Sequence, residues 1–145
     1  MKKTIRHLLD HKGSDIYSIA PTASVYEAIA SMAEKGIGAL LVMDGDRLVG
    51  ILSERDYARR VILEGRSSQT TRVEEIMTPK VICALPERSV EEAMALMTEH
   101  RVRHIPVIDE NSKVVGVISI GDVVRAVIDV QRFHIEQLEA YISTG

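Results

Sequence analysis

The chain has 145 residues, of which 46% are hydrophobic but only 3% aromatic, so its core must be aliphatic. Its 18 basic and 21 acidic residues give a net charge of −3, which argues against a nucleic-acid surface, because such a surface needs clustered positive charge. No apolar run approaches the roughly 18 residues of a membrane span, and the basic N-terminal stretch lacks the apolar region of a signal peptide. We therefore expect a soluble, cytoplasmic protein.

An internal duplication organises the sequence. Residues 16–62 align with residues 81–128 at an offset of 65, which becomes 66 after one inserted residue, Ser112. Seventeen of the 47 aligned pairs are identical. The predicted division of the chain is a first repeat with its lead segment at 1–63, a polar linker at 64–72, a second repeat at 73–128 and a C-terminal helical extension at 129–145.

The first half of each repeat predicts a short strand and then a helix. The lead strand covers 16–19 in the first copy and 81–85 in the second. A Ser-x-x-Glu capping box then marks a helix start, at Ser24 and again at Ser89. Apolar residues follow at i, i+3, i+4 and i+7 in both copies, which is the pattern of a helix with one buried face.

The second half of each repeat predicts a β-hairpin and a further helix. Two apolar runs flank the turn sequence DGD at 44–46, a typical hairpin signal. In the second copy Pro106 lies in the first of these strands, which favours an edge position because proline has no N–H to donate. A helix follows Ser53 and, in the second copy, Ser119. Each repeat is therefore predicted to be β-α-β-β-α, in an α/β (α+β) fold.

The sequence resembles a tandem pair of cystathionine-β-synthase (CBS) domains, the Bateman module. The resemblance spans residues 16–128 and rests on the repeated order of elements, the stretches GILSERD and GVISIGD, the passage EHRVRHIPVID and the VEEIMTP that precedes the second copy. It implies two repeats packed about a pseudo-two-fold axis. It also implies clefts between the repeats that commonly hold adenine nucleotides.

The segments SERD and SIGD carry the candidate ligand-binding residues. A carboxylate beside a helix start can accept both hydroxyl protons of a ribose, so we expect Asp56 and Asp122 to bind ribose. The hydroxyls of Ser53 and Ser119 are candidates for ribose or phosphate. The guanidinium of Arg55 is a candidate for phosphate, because its fork of N–H donors matches phosphate oxygens.

The two candidate sites are unequal, because Arg55 of the first copy aligns with Gly121 of the second. We expect the first site to favour a nucleotide with an accessible phosphate. The second must borrow charge from Arg103 or accept a less demanding ligand. Arg103 and His104 are further candidates for phosphate contacts. By resemblance, the adenine would lie between residues of the lead strands and hairpins: Ile51, Thr78, Ile82 and Val102 beside Asp56, and Tyr17, Ile37, Ala39 and Val117 beside Asp122.

Other interpretations of these residues stay open. Ser53 and Asp56 nearly form a capping box, which alone would explain SERD without a ligand. Two details favour a ligand as well: both copies use Asp where a box prefers Glu or Gln, and a strand glycine stands three residues before each serine. His7 and His11 have i, i+4 spacing but no third ligand in view, so no metal site is predicted.

We therefore expect a regulatory protein that binds adenine nucleotides and is not an enzyme, because we find no P-loop, nucleophile elbow or dinucleotide fingerprint. AMP is the preferred candidate, and ADP, ATP, NAD and S-adenosylmethionine stay open; no catalytic cofactor is predicted. One alternative is a dimeric interaction scaffold with empty clefts. Another is an enzyme acting on a bound nucleotide, for which we can place no general base. The sequence does not name the regulated effector protein.

The last helix is predicted to continue beyond the second repeat, because neither Gly nor Pro interrupts residues 129–144. A stripe with heptad-like spacing runs along this helix and consists of Val124, Ile128, Ile135, Leu138 and Ile142. The spacing predicts a homodimer that pairs through this helix. The alternative is that the stripe packs against its own repeat.

Overall fold

The computed structural model describes residues 3–13 and 15–144, the last four of them by their backbone alone. Its helices are α1 Ile5–Lys12, α2 Val25–Lys35, α3 Glu54–Tyr57, α4 Val73–Ile76, α5 Val90–His100 and α6 Ile120–Thr144. Its strands are β1 Ser18–Ile19, β2 Ala39–Asp44, β3 Arg47–Ser53, β4 His104–Ile108 and β5 Val114–Ser119. A π-helical turn, Ala58–Ile62, follows α3. The predicted α+β fold of two matching repeats is confirmed.

The first repeat holds a three-stranded sheet in the order β1-β2-β3. Strand β1 runs parallel to β2, and β2 and β3 form the predicted antiparallel hairpin. Gly45 closes the hairpin with a φ of 64°, a conformation that glycine adopts without steric cost. On the open edge of β3, the backbone of Thr78 forms a bridge with Ile51. This bridge brings residue 78 beside the SERD segment.

The second repeat holds the hairpin of β4 and β5, but the strand predicted at 81–85 is reduced to one bridge between Ala84 and Val107. The cause is Pro106, in the middle of β4. Its carbonyl accepts a hydrogen bond from the Ala84 amide at 3.1 Å. The missing N–H of the proline falls on the same side of the strand, so the ladder towards residues 81–85 cannot continue.

Serine caps start the central helices of both repeats, which confirms the serine half of each predicted capping box, but neither glutamate closes the box. The Oγ of Ser24 accepts a hydrogen bond from the amide of Glu27 at 3.1 Å, and the Oγ of Ser89 accepts one from the amide of Glu92 at 3.1 Å. The carboxylate of Glu92 also accepts a hydrogen bond from Arg88 at 2.8 Å. These caps satisfy amides of the first helical turn that have no partner within the helix.

Each short lead helix packs on the repeat that is further away in the sequence. Helix α1 precedes the first repeat, but its Ile5 and Leu9 are buried in the core of the second. Helix α4 precedes the second repeat, but its Val73 and Ile76 are buried in the core of the first. The Ile5 amide donates to the carbonyl of Arg88 at 2.8 Å, and an equivalent backbone bond holds Val73. Neither core is therefore complete without a segment from outside its own repeat.

Both cores are aliphatic, as the composition predicts: the largest fully buried side chains are isoleucine, leucine and valine.

Helix α6 runs 25 residues to Thr144, which confirms the predicted C-terminal helix. None of the helices in the described ranges combines the length and the hydrophobicity that a membrane span requires.

Two strand glycines leave room for the lead segments to pack closely against the sheets. The lead segments are helices α1 and α4 together with the residues that directly follow each of them. A Cβ on Gly50 would lie 2.5 Å from the sulfur of Met77 and 3.1 Å from the carbonyl oxygen of Thr78. A Cβ on Gly116 would lie 2.6 Å from a methyl carbon of Leu9. The close approach that a strand glycine indicates is therefore made by the protein's own lead segments and not by a ligand.

Replacing Gly50 with alanine should lower the free energy of unfolding by about 1–3 kcal/mol, because the added methyl group overpacks the contact with Met77 and Thr78. Urea denaturation of the wild type and the variant measures the difference. Gly121→Ala is the matched control, because its Cβ would meet only ordinary contacts, the nearest at 3.6 Å, and alanine favours the helix. An unchanged midpoint for Gly50→Ala would contradict this account of the glycine.

Candidate functional site

Two clefts open between the repeats, one beside each Ser-x-x-Asp segment. The Asp56 cleft has a volume of about 470 Å³ and is lined by β3, α3 and residues of segments 78–82 and 100–104. The Asp122 cleft has a volume of about 420 Å³ and is lined by the end of α1, by β2 and by parts of β3 and β5. Both volumes suit a small ligand.

The residues that the sequence predicts around Asp56 all line the Asp56 cleft. They come from separate segments of the chain, which the fold brings together at the edge of β3. The predicted residues on this cleft are Ile51, Ser53, Arg55, Asp56, Thr78, Ile82, Val102, Arg103 and His104.

The residues predicted around Asp122 gather at the second cleft in the same way. Those that line it are Tyr17, Ile37, Ala39, Val117 and Ser119. Asp122 lies behind this wall and is only 7% exposed. The side chain that links it to the cleft is that of Lys12, which the sequence analysis did not select.

Asp56 closes a complete capping box with Ser53. The Ser53 amide donates to Oδ2 of Asp56 at 3.0 Å, and the Asp56 amide donates to the Ser53 Oγ at 3.2 Å. The aspartate side chain is therefore long enough to close the capping box, although a glutamate or glutamine is preferred at this position. The other oxygen, Oδ1, has one long hydrogen bond at 3.4 Å from the hydroxyl of Thr78.

Both details that favoured a ligand at the sequence level now have structural explanations. The aspartates close capping boxes, and Gly50 and Gly116 admit the lead segments. The case for a ligand therefore depends on the clefts themselves, on their lining and on their charge.

Asp122 forms the same box with Ser119 but has two further partners. The Ser119 amide donates to Oδ2 at 2.8 Å. The Lys12 ammonium lies 2.6 Å from the same oxygen, and the guanidinium of Arg125 lies 2.7 Å from Oδ1. Both oxygens of this buried carboxylate are therefore engaged by cations, unlike those of Asp56.

The charges around Asp122 set its protonation. Burial alone would raise the pKa of Asp122, but the hydrogen bonds from Lys12 and from the Ser119 amide outweigh burial and hold the pKa below its ordinary value. The carboxylate is therefore ionised at neutral pH, and its ion pairs persist until the pH falls through that lowered pKa.

The Asp56 cleft is rich in positive charge. Among the described residues, its lining contains six arginine or lysine side chains and two carboxylates, those of Glu54 and Asp56. The cations are Arg55, Arg59, Arg60, Lys80, Arg101 and Arg103. The sequence analysis missed Arg59, although it lies one helical turn after Arg55, and it missed Lys80, two residues after Thr78. A search for basic residues one helical turn after, or two residues after, each predicted ligand-binding residue would have found both.

Two of these cations need separate comment. The guanidinium of Arg60 donates to the carbonyl of Ile76 at 2.9 Å, so it is anchored to the end of α4. The sequence analysis expected Arg103 to supply positive charge for a phosphate in the second site, but Arg103 lines the Asp56 cleft and is not among the described residues that line the Asp122 cleft. Among the described residues that line the Asp122 cleft, the cation is Lys12.

His104 lies between the clefts and lines both of them. Its burial lowers the pKa of the imidazole, and the nearby ammonium of Lys12 lowers it further. The ring is therefore neutral at pH 7, and its contribution to either cleft is that of a hydrogen-bonding group and not of a cation.

The family model of the CBS domain matches residues 5–63 and 73–129. The chain is 47% identical over 127 residues to the mitochondrial CBS domain-containing protein CBSX3 of Arabidopsis thaliana, which covers 84% of this chain but only 61% of that protein. A solved protein with CBS domains from Burkholderia ambifaria is 56% identical, with a TM-score of 0.85, over 88% of this chain and 95% of the other.

A second solved structure, at 24% identity, shows the fold alone. It is the CBS domain pair of another protein, solved in complex with 5′-methylthioadenosine and S-adenosyl-L-methionine, with a TM-score of 0.78 over 87% of this chain and 96% of that one. The two family matches, the shared fold and the two clefts agree with one another. The chain belongs to the CBS domain family, in which it forms a tandem pair.

Proposed function

We propose that this CBS pair is a regulatory module that senses an adenine nucleotide by binding it in the Asp56 cleft, and that it is not an enzyme. One observation carries the proposal: a cleft of ligand size combines the weakly engaged carboxylate of Asp56 with six cationic side chains. A nucleotide has the matching parts, a neutral diol for the carboxylate and an anionic phosphate for the cations.

The ribose would bond to Asp56. Its Oδ2 is held by the amide and hydroxyl of Ser53, at 3.0 and 3.1 Å, which fixes the orientation of the carboxylate. Its Oδ1 has only the long bond from Thr78, so lone pairs are free to accept hydroxyl protons. A carboxylate that is already oriented loses little entropy when the diol binds.

The phosphate would face Arg55 and its neighbours. Arg55 is exposed, and no ion pair engages it in the described part of the chain. Arg59 and Lys80 lie on the same cleft. Guanidinium groups bind phosphate through two parallel hydrogen bonds, whereas lysine acts as a point charge. The surplus of cations favours a nucleotide whose phosphate is accessible, such as AMP, ADP or ATP.

The base would lie against the apolar part of the lining, where Ile51, Ile82 and Val102 meet. 5′-Methylthioadenosine and S-adenosyl-L-methionine are ligands of the distant structural relative. Of these two ligands, we propose for this chain the adenosine portion alone. NAD and S-adenosylmethionine contain the same portion. The regulated effector would be a separate protein that responds to the liganded form.

We infer in addition that the protein forms a homodimer through α6. Its stripe residues Val124, Ile128, Ile135 and Leu138 are each between 41% and 62% exposed, so they do not pack against their own repeat. The side chain of Ile142, the last predicted member of the stripe, lies outside the described residues. Exposed apolar side chains at heptad-like spacing are typical of a helix that pairs with a second helix.

The ribose assignment predicts that 2′-deoxy-AMP binds more weakly than AMP, by about 1.5–3 kcal/mol, because a charge-assisted hydrogen bond to Asp56 is lost. Isothermal titration calorimetry measures both affinities. The same titrations on Asp56→Asn should show a smaller difference between the two ligands. Equal affinities of the wild type for both nucleotides would refute the assignment.

The phosphate assignment predicts that Arg55→Ala weakens AMP by about 1–3 kcal/mol but leaves adenosine nearly unchanged, because only AMP has a phosphate to lose. Arg47→Ala is the matched control, since Arg47 is also exposed but lies on the β2-β3 hairpin and not on the cleft lining. If Arg55→Ala weakens both ligands equally, Arg55 is an ordinary surface charge.

The dimer assignment predicts that the double variant Ile135→Glu, Leu138→Glu is a monomer, because the substitution places charges in the apolar seam. Multi-angle light scattering measures the mass of the variant and of the wild type. Gln137→Glu adds one charge to the same helix beside the stripe and should keep the dimeric mass. A monomeric wild type, with or without AMP, would overturn the inference.

A further inference from the structure

The two clefts differ at the position that faces the ribose carboxylate. Continuing the offset of 65 back from the repeat aligns Thr78 of the Asp56 cleft with Gly13 of the Asp122 cleft. Both residues line their clefts. Gly13 has no side chain, so it cannot direct a hydroxyl at Asp122 as Thr78 does at Asp56.

The ammonium of Lys12 contacts the same two groups as Thr78 does in the other cleft, a strand carbonyl and the carboxylate, but it bonds the carboxylate oxygen that also accepts the Ser119 amide, while Arg125 holds the other oxygen. The Thr78 amide donates to the carbonyl of Ile51 at 2.9 Å, and its hydroxyl lies 3.4 Å from Asp56 Oδ1. The equivalents of Ile51 and Asp56 are Val117 and Asp122. Lys12 Nζ donates to the Val117 carbonyl at 2.9 Å and to Asp122 Oδ2 at 2.6 Å. One side chain from α1 thus makes both contacts.

The replacement changes the strength of the contact. A hydroxyl at 3.4 Å is a weak neutral donor, whereas the ammonium of Lys12 forms a charge-assisted bond to a carboxylate that is 7% exposed. Because the carboxylate is buried, water screens this pair less than it screens a surface ion pair, although the Lys12 side chain itself is 36% exposed. A ribose hydroxyl carries no charge, so displacing Lys12 would exchange an ion pair for a hydrogen bond from a neutral donor.

The rest of the Asp122 cleft also disfavours a nucleotide phosphate. Lys80 of the Asp56 cleft aligns with Asp15 of the Asp122 cleft, and each lines its cleft. This position therefore changes from a cation to an anion. Among the described lining residues of the Asp122 cleft, Lys12 is the one lysine or arginine, and it is paired.

We propose that Lys12 determines ligand access to the Asp122 cleft: its ammonium holds the ribose-binding carboxylate in an ion pair, so this cleft binds an adenosine moiety far more weakly than the Asp56 cleft does. The proposal rests on the proposed nucleotide function, because it assumes that both carboxylates are ribose acceptors. Its consequence is that the wild type binds one AMP per chain with high affinity.

The test isolates the second cleft and removes the ammonium. In an Asp56→Ala background, Lys12→Met should bind adenosine about tenfold or more tightly than the background alone, because the ribose no longer competes with an ion pair. Arg125 still pairs with Asp122, so the variant leaves no buried charge without a partner. Adenosine is the probe because it has no phosphate for Lys12 to attract.

Two control variants separate this effect from general changes in α1. Lys12→Arg keeps the positive charge and should not tighten binding of adenosine. Arg6→Met removes an exposed cation from the same helix, where it pairs with Glu87 at 2.8 Å away from both clefts, and should also leave binding unchanged. Thermal unfolding without ligand checks that every variant is folded.

A second measurement does not depend on Asp56→Ala. With Asp56 intact, calorimetry with adenosine should count one site in the wild type and two in Lys12→Met. Adenosine binding that is unchanged or weaker in Lys12→Met overturns the proposal, and a loss confined to AMP would make Lys12 a phosphate ligand instead. If the wild type with Asp56 intact binds no adenine ligand at all, the proposed nucleotide function fails, and the role of Lys12 fails with it. If the wild type binds AMP but Lys12→Met does not bind adenosine more tightly, only the role of Lys12 fails.

Discussion

The close contact between each lead segment and a glycine of the opposite sheet is the constraint on which the rest of the structure depends. Leu9 packs against Gly116, and Met77 against Gly50, at distances that leave no room for a Cβ. These contacts bring α1 onto the second repeat and α4 onto the first. They also bring the residues that follow each helix to the edge of a Ser-x-x-Asp segment. These residues form the wall of each cleft that faces the Ser-x-x-Asp segment.

The duplication gives two carboxylates with the same local geometry and different surroundings. Asp56 and Asp122 both close a capping box with a serine three residues earlier. What differs is the segment that the lead helix delivers. After α4 it supplies the weak hydroxyl of Thr78, and at the end of α1 it supplies the ammonium of Lys12. Two copies of one motif therefore present unlike acceptors to a ligand, although their backbones match.

The sequence predicted the fold and the members of each cleft well, for physical reasons that can be named. The repeat, the serine caps and the hairpin turn at Gly45 are local signals, and each determines local structure. The resemblance to CBS pairs then assigned residues that are far apart in the sequence, such as Val102 and Tyr17, to the cleft that each of them lines. The predicted lead strand at 81–85 is nearly absent, because a single proline, Pro106, removes the donor that its ladder needs.

The partners of Asp122 could not be predicted in this way. Lys12 precedes Asp122 by 110 positions and lies in a segment that the repeat alignment did not include. The contact depends on α1 crossing to the second repeat, for which the sequence holds no local signal. Likewise, the glycines were correctly taken as points of close approach, but periodicity cannot say whether a ligand or a helix makes that approach. Charge placement is therefore the part of the site that required the structure.

A crystal structure of the wild-type protein grown with AMP tests the central claim most directly. The account predicts AMP in the Asp56 cleft, with both ribose hydroxyls on the Asp56 carboxylate and the phosphate beside Arg55. It also predicts that Lys12 stays on Asp122. AMP bound with its ribose on Asp122 and the Asp56 cleft empty, or a ribose in the Asp56 cleft that does not contact Asp56, would contradict the account.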